Sequence, residues 1–251
     1  MANFLQQLGA GEACKFGTWV KLGTLETLEM LAIAGFDFIV VDMEHAPHTL
    51  ESAYRLTVGA QGFGMAALVR LPDSGGALVQ RILDSGADGV LVPRVRNVAE
   101  ARAVAEGMRF SPTGSRGLGI TSRAGHWGLK STPDYVAEGN RDVLRAVQLE
   151  DAAALREAGE ILAVEGINAA FVGPGDLALS TGKPATHPDN AALIEDLLAT
   201  CRARRMPCGT AVGDANAARE ARERGFGFVM VSNDCTLFGK AAQALVRGIL
   251  G

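Results

Sequence analysis

The sequence predicts an α/β protein that folds as a single (β/α)8 TIM barrel, and three observations support this prediction. Eight short apolar runs recur along the 251 residues, and each is followed by a longer segment in which apolar residues have helical spacing. Such alternation is typical of parallel sheets. Eight repeats in so short a chain favour a closed barrel over an open doubly wound sheet, which stays the alternative. With 48% hydrophobic residues, residues 1–251 can bury the core of one domain.

The predicted elements alternate along the chain. The strands are ACKFGTWV (13–20), FDFIVVD (36–42), MAALVRL (65–71), GVLVPRV (89–95), LRAVQLE (144–150), AAFVGPG (169–175), PCGTAVG (207–213) and FGFVMVS (226–232). The helices that follow them are 24–35, 48–62, 76–86, 97–110, 153–166, 190–205, 214–225 and 237–250. Gly35, Gly86, Gly166 and Gly225 end four of these helices, where a left-handed cap returns the chain to the next strand.

One connection departs from this order. Residues 111–141 are rich in Gly, Ser, Thr and Arg and are too long for an ordinary link between a helix and a strand. Two interpretations are open: a loose surface excursion, or a loop that covers a pocket or reaches a neighbouring subunit.

Composition excludes several classes of partner. A formal net charge of −4 provides no basic surface for nucleic acid or for an anionic membrane. The N-terminal residues lack the pattern of a signal peptide and no window has the apolar length of a membrane span, so we expect a cytoplasmic protein. The four cysteines, Cys14, Cys201, Cys208 and Cys235, form no CxxC motif and no Cys/His cluster. We interpret them as small apolar residues in a reducing compartment.

Polar residues gather where the predicted strands end, which is the catalytic face of a (β/α)8 barrel. They are Trp19, Lys21, Asp42, Glu44, His45, Arg70, Arg94, Gln148, Glu150, Gly175, Asp176 and Asp234. Glu150 and Asp176 end adjacent strands, so their carboxylates can share either a proton or a cation. Oxygen ligands alone favour Mg²⁺ or Mn²⁺. The alternative is two unrelated acids, each satisfied by a backbone cap or an arginine.

Two further residues are candidates for chemistry. His45 lies three residues after Asp42 and is suited to general acid/base catalysis, or else anchors a loop. Arg70 ends an apolar strand, where it can stabilise an enolate or form a structural ion pair with Asp42 or Glu44. Gly175, in the sequence GPGD, permits close approach of the backbone to a bound carboxylate.

Over nearly its whole length the chain resembles the metal-dependent class II pyruvate aldolases, typified by 4-hydroxy-2-oxoheptanedioate aldolase and 2-dehydro-3-deoxyglucarate aldolase. The resemblance is carried, in this order, by GTWVKLGTLETLEMLAIAGFDFIVVDMEHA, VRLP, LVPRVRN, RFSPTGSRGLG, VQLED and FVGPGDLALSTG. It implies a barrel that exchanges its last helix with a neighbour, in a homohexamer built as a trimer of dimers. It also implies reversible aldol cleavage of 4-hydroxy-2-oxo acids to pyruvate or hydroxypyruvate plus an aldehyde.

The resemblance assigns roles to individual residues. Glu150 and Asp176 correspond to ligands of a divalent metal, Mg²⁺ or Mn²⁺, with Co²⁺ as a further candidate. His45 corresponds to the base, Asp42 to its orienting partner and Arg70 to the group that stabilises the enolate.

Other positions correspond to substrate contacts. Backbone amides at Gly175 and Asp176 are implied to hold the carboxylate of the 2-oxo acid, and Gln148 is implied to contact the keto oxygen or the water around the metal. Asp84 corresponds to an acid that reaches the site across a subunit boundary. Trp19 and Val212 lie where the acceptor aldehyde is expected.

The chain departs from the family pattern at Ala178, where relatives often carry Ser, and at Val212, where they carry another apolar residue. Both departures put the identity of the acceptor in doubt. Two other enzymes are alternatives: a class I aldolase that forms a Schiff base on Lys21, and an acyl-CoA lyase of the same barrel group. A binding protein that retains a metal site is a third alternative.

Overall fold

The computed structural model describes residues 3–9, 13–74 and 76–250, and within them eight parallel strands close into a barrel in chain order. The predicted (β/α)8 barrel is confirmed. The strands are β1 (Lys15–Val20), β2 (Phe38–Asp42), β3 (Ala66–Arg70), β4 (Gly89–Val92), β5 (Leu144–Leu149), β6 (Ala169–Val172), β7 (Cys208–Val212) and β8 (Phe228–Asn233). Pairing of β8 with β1 closes the barrel, with a register shift between Gly17 and Trp19.

Helices surround the barrel. They are α1 (Phe4–Gly9), α2 (Leu25–Ile33), α3 (Leu50–Gly62), α4 (Gly76–Asp84), α5 (Val98–Met108), α6 (Thr132–Arg141), α7 (Ala152–Arg156), α8 (Ala158–Ile161), α9 (Pro174–Thr181), α10 (Pro188–Ala203), α11 (Ala215–Arg224) and α12 (Asp234–Leu250). The four glycines predicted to reverse the chain all have left-handed backbone angles, with φ between 82° and 103°. None of the described helices is long and apolar enough to cross a membrane.

Alternation along the strands decides which side chains enter the barrel. Phe38, Leu68, Phe171 and Phe228 belong to the cluster that fills the interior, and a second cluster lies between the strands and the helices. Because successive strand residues point to opposite faces, the interior rows continue into polar side chains at the carboxyl ends of the strands. The filled interior places any site above the core, at the mouth of the barrel.

The 111–141 segment is more ordered than its composition predicts. It contains a 3-10 helix over Arg123–Gly128 and the helix α6. Arg116 anchors it, with its guanidinium 4.4 Å from the ring centroid of Phe110 and 2.7 Å from Asp84. The interpretation as a loose excursion is therefore wrong. The helical pattern was hard to recognise in the sequence because the buried contacts of the segment are few and widely spaced along the chain.

Two other elements differ from the sequence prediction. The helix predicted over 153–166 is divided into α7 and α8, and β6 ends at Val172, so that the GPGD turn opens α9. The predicted last helix is extended by three residues at its start. It carries six exposed large apolar side chains, Leu237, Phe238, Leu245, Val246, Ile249 and Leu250, and Asp234 is its one buried residue among those described.

Candidate active site

The polar residues that continue the interior rows come together at the mouth of the barrel. Asp42, the last residue of β2, is in register with Arg70, the last residue of β3. Both are buried, so each needs a partner in place of water. The Arg70 guanidinium donates to both oxygens of Asp42, from Nε at 3.0 Å and from Nη2 at 2.8 Å. This bidentate geometry fixes the guanidinium plane.

Glu44 and Trp19 complete the surroundings of Arg70. The third guanidinium nitrogen, Nη1, lies 3.1 Å from Glu44 Oε2, and the guanidinium carbon lies 4.1 Å from the centroid of the Trp19 ring. The cation is therefore held by two carboxylates and an aromatic face. The structural ion pair that the sequence left open exists, and it holds the charge of Arg70 at the mouth.

Lys21 is the second cation on Asp42. Its ammonium contacts Asp42 Oδ2 and lies 3.4 Å from the carbonyl oxygen of His45. The buried carboxylate of Asp234 accepts the backbone amides of Lys21 and Leu22 and so holds the loop after β1. Although burial alone would raise the pKa of Asp42, hydrogen bonds from Arg70 and Lys21 hold it well below its usual range. Asp42 is accordingly an anion that stabilises two cations.

His45 does not have the environment that the family resemblance implies. Asp42 Oδ1 accepts the backbone amide of His45 at 3.1 Å, whereas the imidazole Nε2 lies 3.8 Å from Glu44 Oε2 and the side chain is 61% exposed. Asp42 therefore positions the loop, and Glu44 is the carboxylate beside the ring. The expectation that Asp42 orients the imidazole is corrected, because both Asp42 oxygens already accept hydrogen bonds from cations.

The second half of the site gathers around Gly173. A Cβ placed on this glycine would lie 3.2 Å from Gln148 Nε2, 3.2 Å from Glu150 Oε2 and 3.3 Å from Asp176 Oδ2. One oxygen from each carboxylate thus lies within 3.3 Å of the same point. Any side chain larger than hydrogen at position 173 would enter this space.

The donors around Gly173 fit a hard divalent cation. Two carboxylates that follow the adjacent strands β5 and β6 provide oxygen ligands and leave other positions to water and substrate. Gln148 donates to Glu150 Oε2, and its own Oε1 is buried with no hydrogen-bond partner among the described residues, so it can accept from a water molecule beside the ion. The described residues contain no group of three or more His, Cys, Asp or Glu side chains arranged to hold a metal.

The pKa of Glu150 reflects the crowding of carboxylates at this site. Burial and the neighbouring carboxylates of Asp176 and Glu44 raise its pKa to about 7, and hydrogen bonds from Gln148 and from the Arg94 backbone amide oppose the rise only in part. A carboxyl group with a raised pKa beside a second carboxylate is the state that a cation relieves.

The raised pKa of Glu150 predicts how the stability of the metal-free protein changes with pH. The pKa of Glu150 is about 7 in the folded state against an ordinary 4.5, so stability is lost as the pH rises through this window. Glu150→Gln removes the loss and is expected to stabilise the protein by up to about 3 kcal/mol near pH 8. Urea unfolding in EDTA at about pH 8 and about pH 4 measures the difference, which should vanish at the lower pH. An equal difference at both pH values would contradict the shift.

Several other predicted residues can now be placed. Gly175 is exposed in the first turn of α9, whose N-terminus has no side-chain cap. Val212 packs in the layer beneath the helices, and its neighbour Ala211 faces the interior, so the alternation of β7 does not support the expected contact of Val212 with the acceptor. Asp84 ends α4 at the opposite end of the barrel, where it accepts from Arg116 and Tyr135. Within one chain it lies apart from the rest of the site.

Two contributions were missed at the sequence level. Gly173, rather than Gly175, is the glycine that leaves room between the acids. Arg94 donates its backbone amide to Glu150 Oε1 at 2.9 Å. The sequence placed both Gly173 and Arg94 just after a strand. That position reveals neither the space beside a glycine nor the direction of a backbone amide.

Comparisons with known proteins agree with this site. The family described as HpcH/HpaI aldolase/citrate lyase matches residues 15–241. A 2-dehydro-3,6-dideoxy-6-sulfogluconate aldolase of Pseudomonas putida is 34% identical over 243 residues, covering 96% of this chain and 94% of that protein. A 5-keto-4-deoxy-D-glucarate aldolase of Salmonella arizonae is 34% identical over 238 residues, covering 94% and 92%.

Solved structures give the same result. An HpcH/HpaI aldolase/citrate lyase family protein from Burkholderia cenocepacia J2315 superposes with a TM-score of 0.90 at 31% identity, covering 98% of both chains. The HpcH/HpaI aldolase from Desulfitobacterium hafniense DCB-2 superposes with a TM-score of 0.92 at 28% identity, covering 99% of this chain and 97% of that one. The resemblance inferred from the sequence is confirmed: the chain belongs to the HpcH/HpaI aldolase/citrate lyase family and is a carbon–carbon lyase.

Proposed function

We propose that this enzyme catalyses the reversible aldol cleavage of 4-hydroxy-2-oxo acids to pyruvate or hydroxypyruvate and an aldehyde. One observation carries the proposal: the mouth of the barrel contains both a fixed guanidinium, that of Arg70, and two carboxylates that converge on Gly173. Cleavage needs a cationic region where the enolate charge develops and an acid/base group for the hydroxyl. The names of the relatives, aldolases of acidic sugar derivatives, support this substrate class.

Glu150 and Asp176 would hold a divalent cation, Mg²⁺, Mn²⁺ or Co²⁺. When bound there, the cation supplies Lewis-acid polarisation of the 2-oxo group. The uncapped start of α9 presents the backbone amides of Gly175 and Asp176, and a helix N-terminus favours a bound carboxylate. The buried Oε1 of Gln148 has no hydrogen-bond partner among the described residues and would accept from water beside the cation, whereas only its Nε2 could donate to the keto oxygen.

Arg70 stabilises the negative charge that develops on the 2-oxo acid when the C3–C4 bond breaks. Its three guanidinium nitrogens are held by Asp42 and Glu44, so it does not reorganise when the charge appears. Trp19 covers one face of the guanidinium, which limits access of water. The contact between Trp19 and the aldehyde that the family resemblance implies stays part of the proposal.

His45 moves the proton of the C4 hydroxyl. We expect His45→Ala to lower turnover by about 10²- to 10⁴-fold, the usual contribution of a general acid/base, while cation and pyruvate binding persist. His187→Ala is a matched control, because this histidine caps α10. Turnover is compared with Mn²⁺ affinity from calorimetry. Loss of Mn²⁺ binding in the His45 variant would make His45 a ligand and refute its role as base.

Formation of the enolate is the step that separates an aldolase from a binding protein. With Mg²⁺ or Mn²⁺ present, the enzyme is expected to exchange the methyl protons of pyruvate with D₂O, which NMR follows directly. Binding of pyruvate without exchange would refute the proposed reaction. A positive result is followed by condensation of pyruvate and hydroxypyruvate with a panel of aldehydes, which defines the acceptor.

A Schiff base on Lys21 is the alternative, and it needs a separate test because an enamine would also exchange the methyl protons of pyruvate. The Lys21 ammonium contacts Asp42 and the His45 carbonyl oxygen, so both contacts would have to break before the amine attacks a carbonyl. Trapping of pyruvate on Lys21 by borohydride would favour the class I mechanism.

The assembly is part of the proposal. The exposed apolar side chains of α12 favour packing against a second copy, in line with the exchanged last helix and the trimer of dimers that the family resemblance implies. In such an assembly Asp84 would come from the neighbouring subunit. The four cysteines are free in the described structure, and we keep the cytoplasm as the proposed compartment.

A further inference from the structure

Arg94 follows β4 and contacts both halves of the candidate site. Its backbone amide donates to Glu150 Oε1 at 2.9 Å. Its side-chain Nε lies 3.4 Å from Glu44 Oε1, and Nη2 donates to the carbonyl oxygen of Pro72 at 3.2 Å. Arg94 therefore joins Glu150, an acid proposed to bind a cation, to Glu44, one of the two acids that hold Arg70.

The backbone of Arg94 is left-handed, with φ of 53°, a conformation that side chains other than Gly, Asn and Asp seldom adopt. The next residue, Val95, donates its amide to the Gln148 carbonyl at 3.2 Å. Successive amides of a regular strand point to opposite sides. The left-handed backbone of Arg94 breaks this alternation, so that two consecutive amides face β5 and the Glu150 side chain that follows it.

The amide of Arg94 decides how Glu150 is turned. It occupies Oε1, and Oε2 is the oxygen that lies 3.2 Å from the space at Gly173 and faces Asp176. Gln148 donates to Oε2, so the Arg94 amide is the donor that fixes Oε1. Without it, a single hydrogen bond would hold the carboxylate and leave it free to turn about that contact.

The guanidinium of Arg94 acts on the other half of the site, which contains Glu44 and Arg70. Glu44 lies between two arginines, with Oε1 facing Arg94 and Oε2 at 3.1 Å from Arg70 Nη1. The Arg94 side chain is 53% exposed, whereas the Glu44 side chain is 9% exposed, so a shift of the Glu44 carboxylate acts mainly on Arg70.

We propose that Arg94 is a positioning residue with two separable parts: its left-handed backbone aims Glu150 at the cation site, and its guanidinium holds Glu44 against Arg70. The inference rests on the proposed function, because it assigns the cation to Glu150 and Asp176. The two parts have different readouts, cation affinity for the backbone and turnover for the side chain.

Substitutions that differ in how well they adopt a left-handed backbone separate the role of the Arg94 backbone from that of its guanidinium. Arg94→Gly and Arg94→Asn accept the conformation, whereas Arg94→Val, which is β-branched, does not. Mn²⁺ affinity, measured by calorimetry without substrate, should persist in the first two variants and fall about tenfold or more in the third, as for other partners of metal ligands. Turnover at saturating cation should fall in all three, because each lacks the guanidinium. A purely structural role would lower thermal stability without separating affinity from turnover.

The possible results are distinct. Equal Mn²⁺ affinity in the Gly and Val variants overturns the role of the backbone, and unchanged turnover in the Gly variant overturns that of the guanidinium. If the Val variant does not fold, Arg94→Thr replaces it, since threonine is also β-branched and disfavours the left-handed conformation more than arginine does. If the wild-type enzyme binds no Mn²⁺, the proposed function fails, whereas wild-type binding with no difference among the variants overturns only the role of Arg94.

Discussion

Arg70→Ala is expected to lower turnover by about 10²-fold or more, the scale seen when a preorganised donor to a developing oxyanion is removed. The guanidinium is held by Asp42, Glu44 and the Trp19 ring, so its charge is in place before the enolate forms. Steady-state rates of aldol cleavage, with cation and substrate at saturation, measure the effect. Near-normal turnover would remove Arg70 from the mechanism.

Loss of stability must be separated from loss of chemistry in this variant. Removal of Arg70 leaves two buried acids with fewer partners, which costs about 3–5 kcal/mol when a buried pair is broken. Arg145→Ala is a matched control, because Arg145 is equally buried on β5 and binds the backbone carbonyls of Gly166 and Asn140 at the other end of the barrel. It should lower the unfolding temperature and retain the turnover of the folded enzyme. Arg70→Lys is expected to recover little, because an ammonium cannot reproduce the bidentate contact with Asp42.

Removal of divalent cations is expected to abolish nearly all activity, a loss on the order of 10³-fold if the cation contributes several kcal/mol to the barrier. Addition of Mg²⁺, Mn²⁺ or Co²⁺ to the EDTA-treated enzyme should restore it. The physical reason is the convergence of Glu150 Oε2 and Asp176 Oδ2 within 3.3 Å of one point, which is unfavourable for two anions without a cation. Full activity in EDTA would refute the metal site and with it the proposed mechanism.

Two glycines in the same turn provide a matched test of the position of the cation. Gly173→Ala places a methyl group 3.2 Å from Glu150 Oε2 and 3.3 Å from Asp176 Oδ2, whereas a Cβ on Gly175 meets nothing within 4 Å. Mn²⁺ affinity should therefore fall in Gly173→Ala and persist in Gly175→Ala. If both variants bind Mn²⁺ equally, the ion lies elsewhere.

Most of the barrel could be predicted because its signals are local. Apolar runs, helical spacing and four glycines with left-handed angles are each read within one or two elements, and the order of the strands then follows from chain order. The ordered structure of the segment 111–141 was harder to predict. Its stability comes from Arg116 packing against Phe110 and pairing with Asp84, contacts between distant parts of the chain that composition does not report.

Strand ends and side-chain alternation can be recognised from the chain alone, and they were enough to predict that Asp42, Arg70, Glu150 and Asp176 lie at the mouth of a parallel barrel. They did not predict which of these side chains touch. Asp42 pairs with Arg70 and Lys21 instead of the His45 ring, and the left-handed backbone of Arg94 turns an amide toward Glu150. These contacts could not be predicted because register across neighbouring strands and competition among buried charges select the partners, and both arise only when the barrel closes.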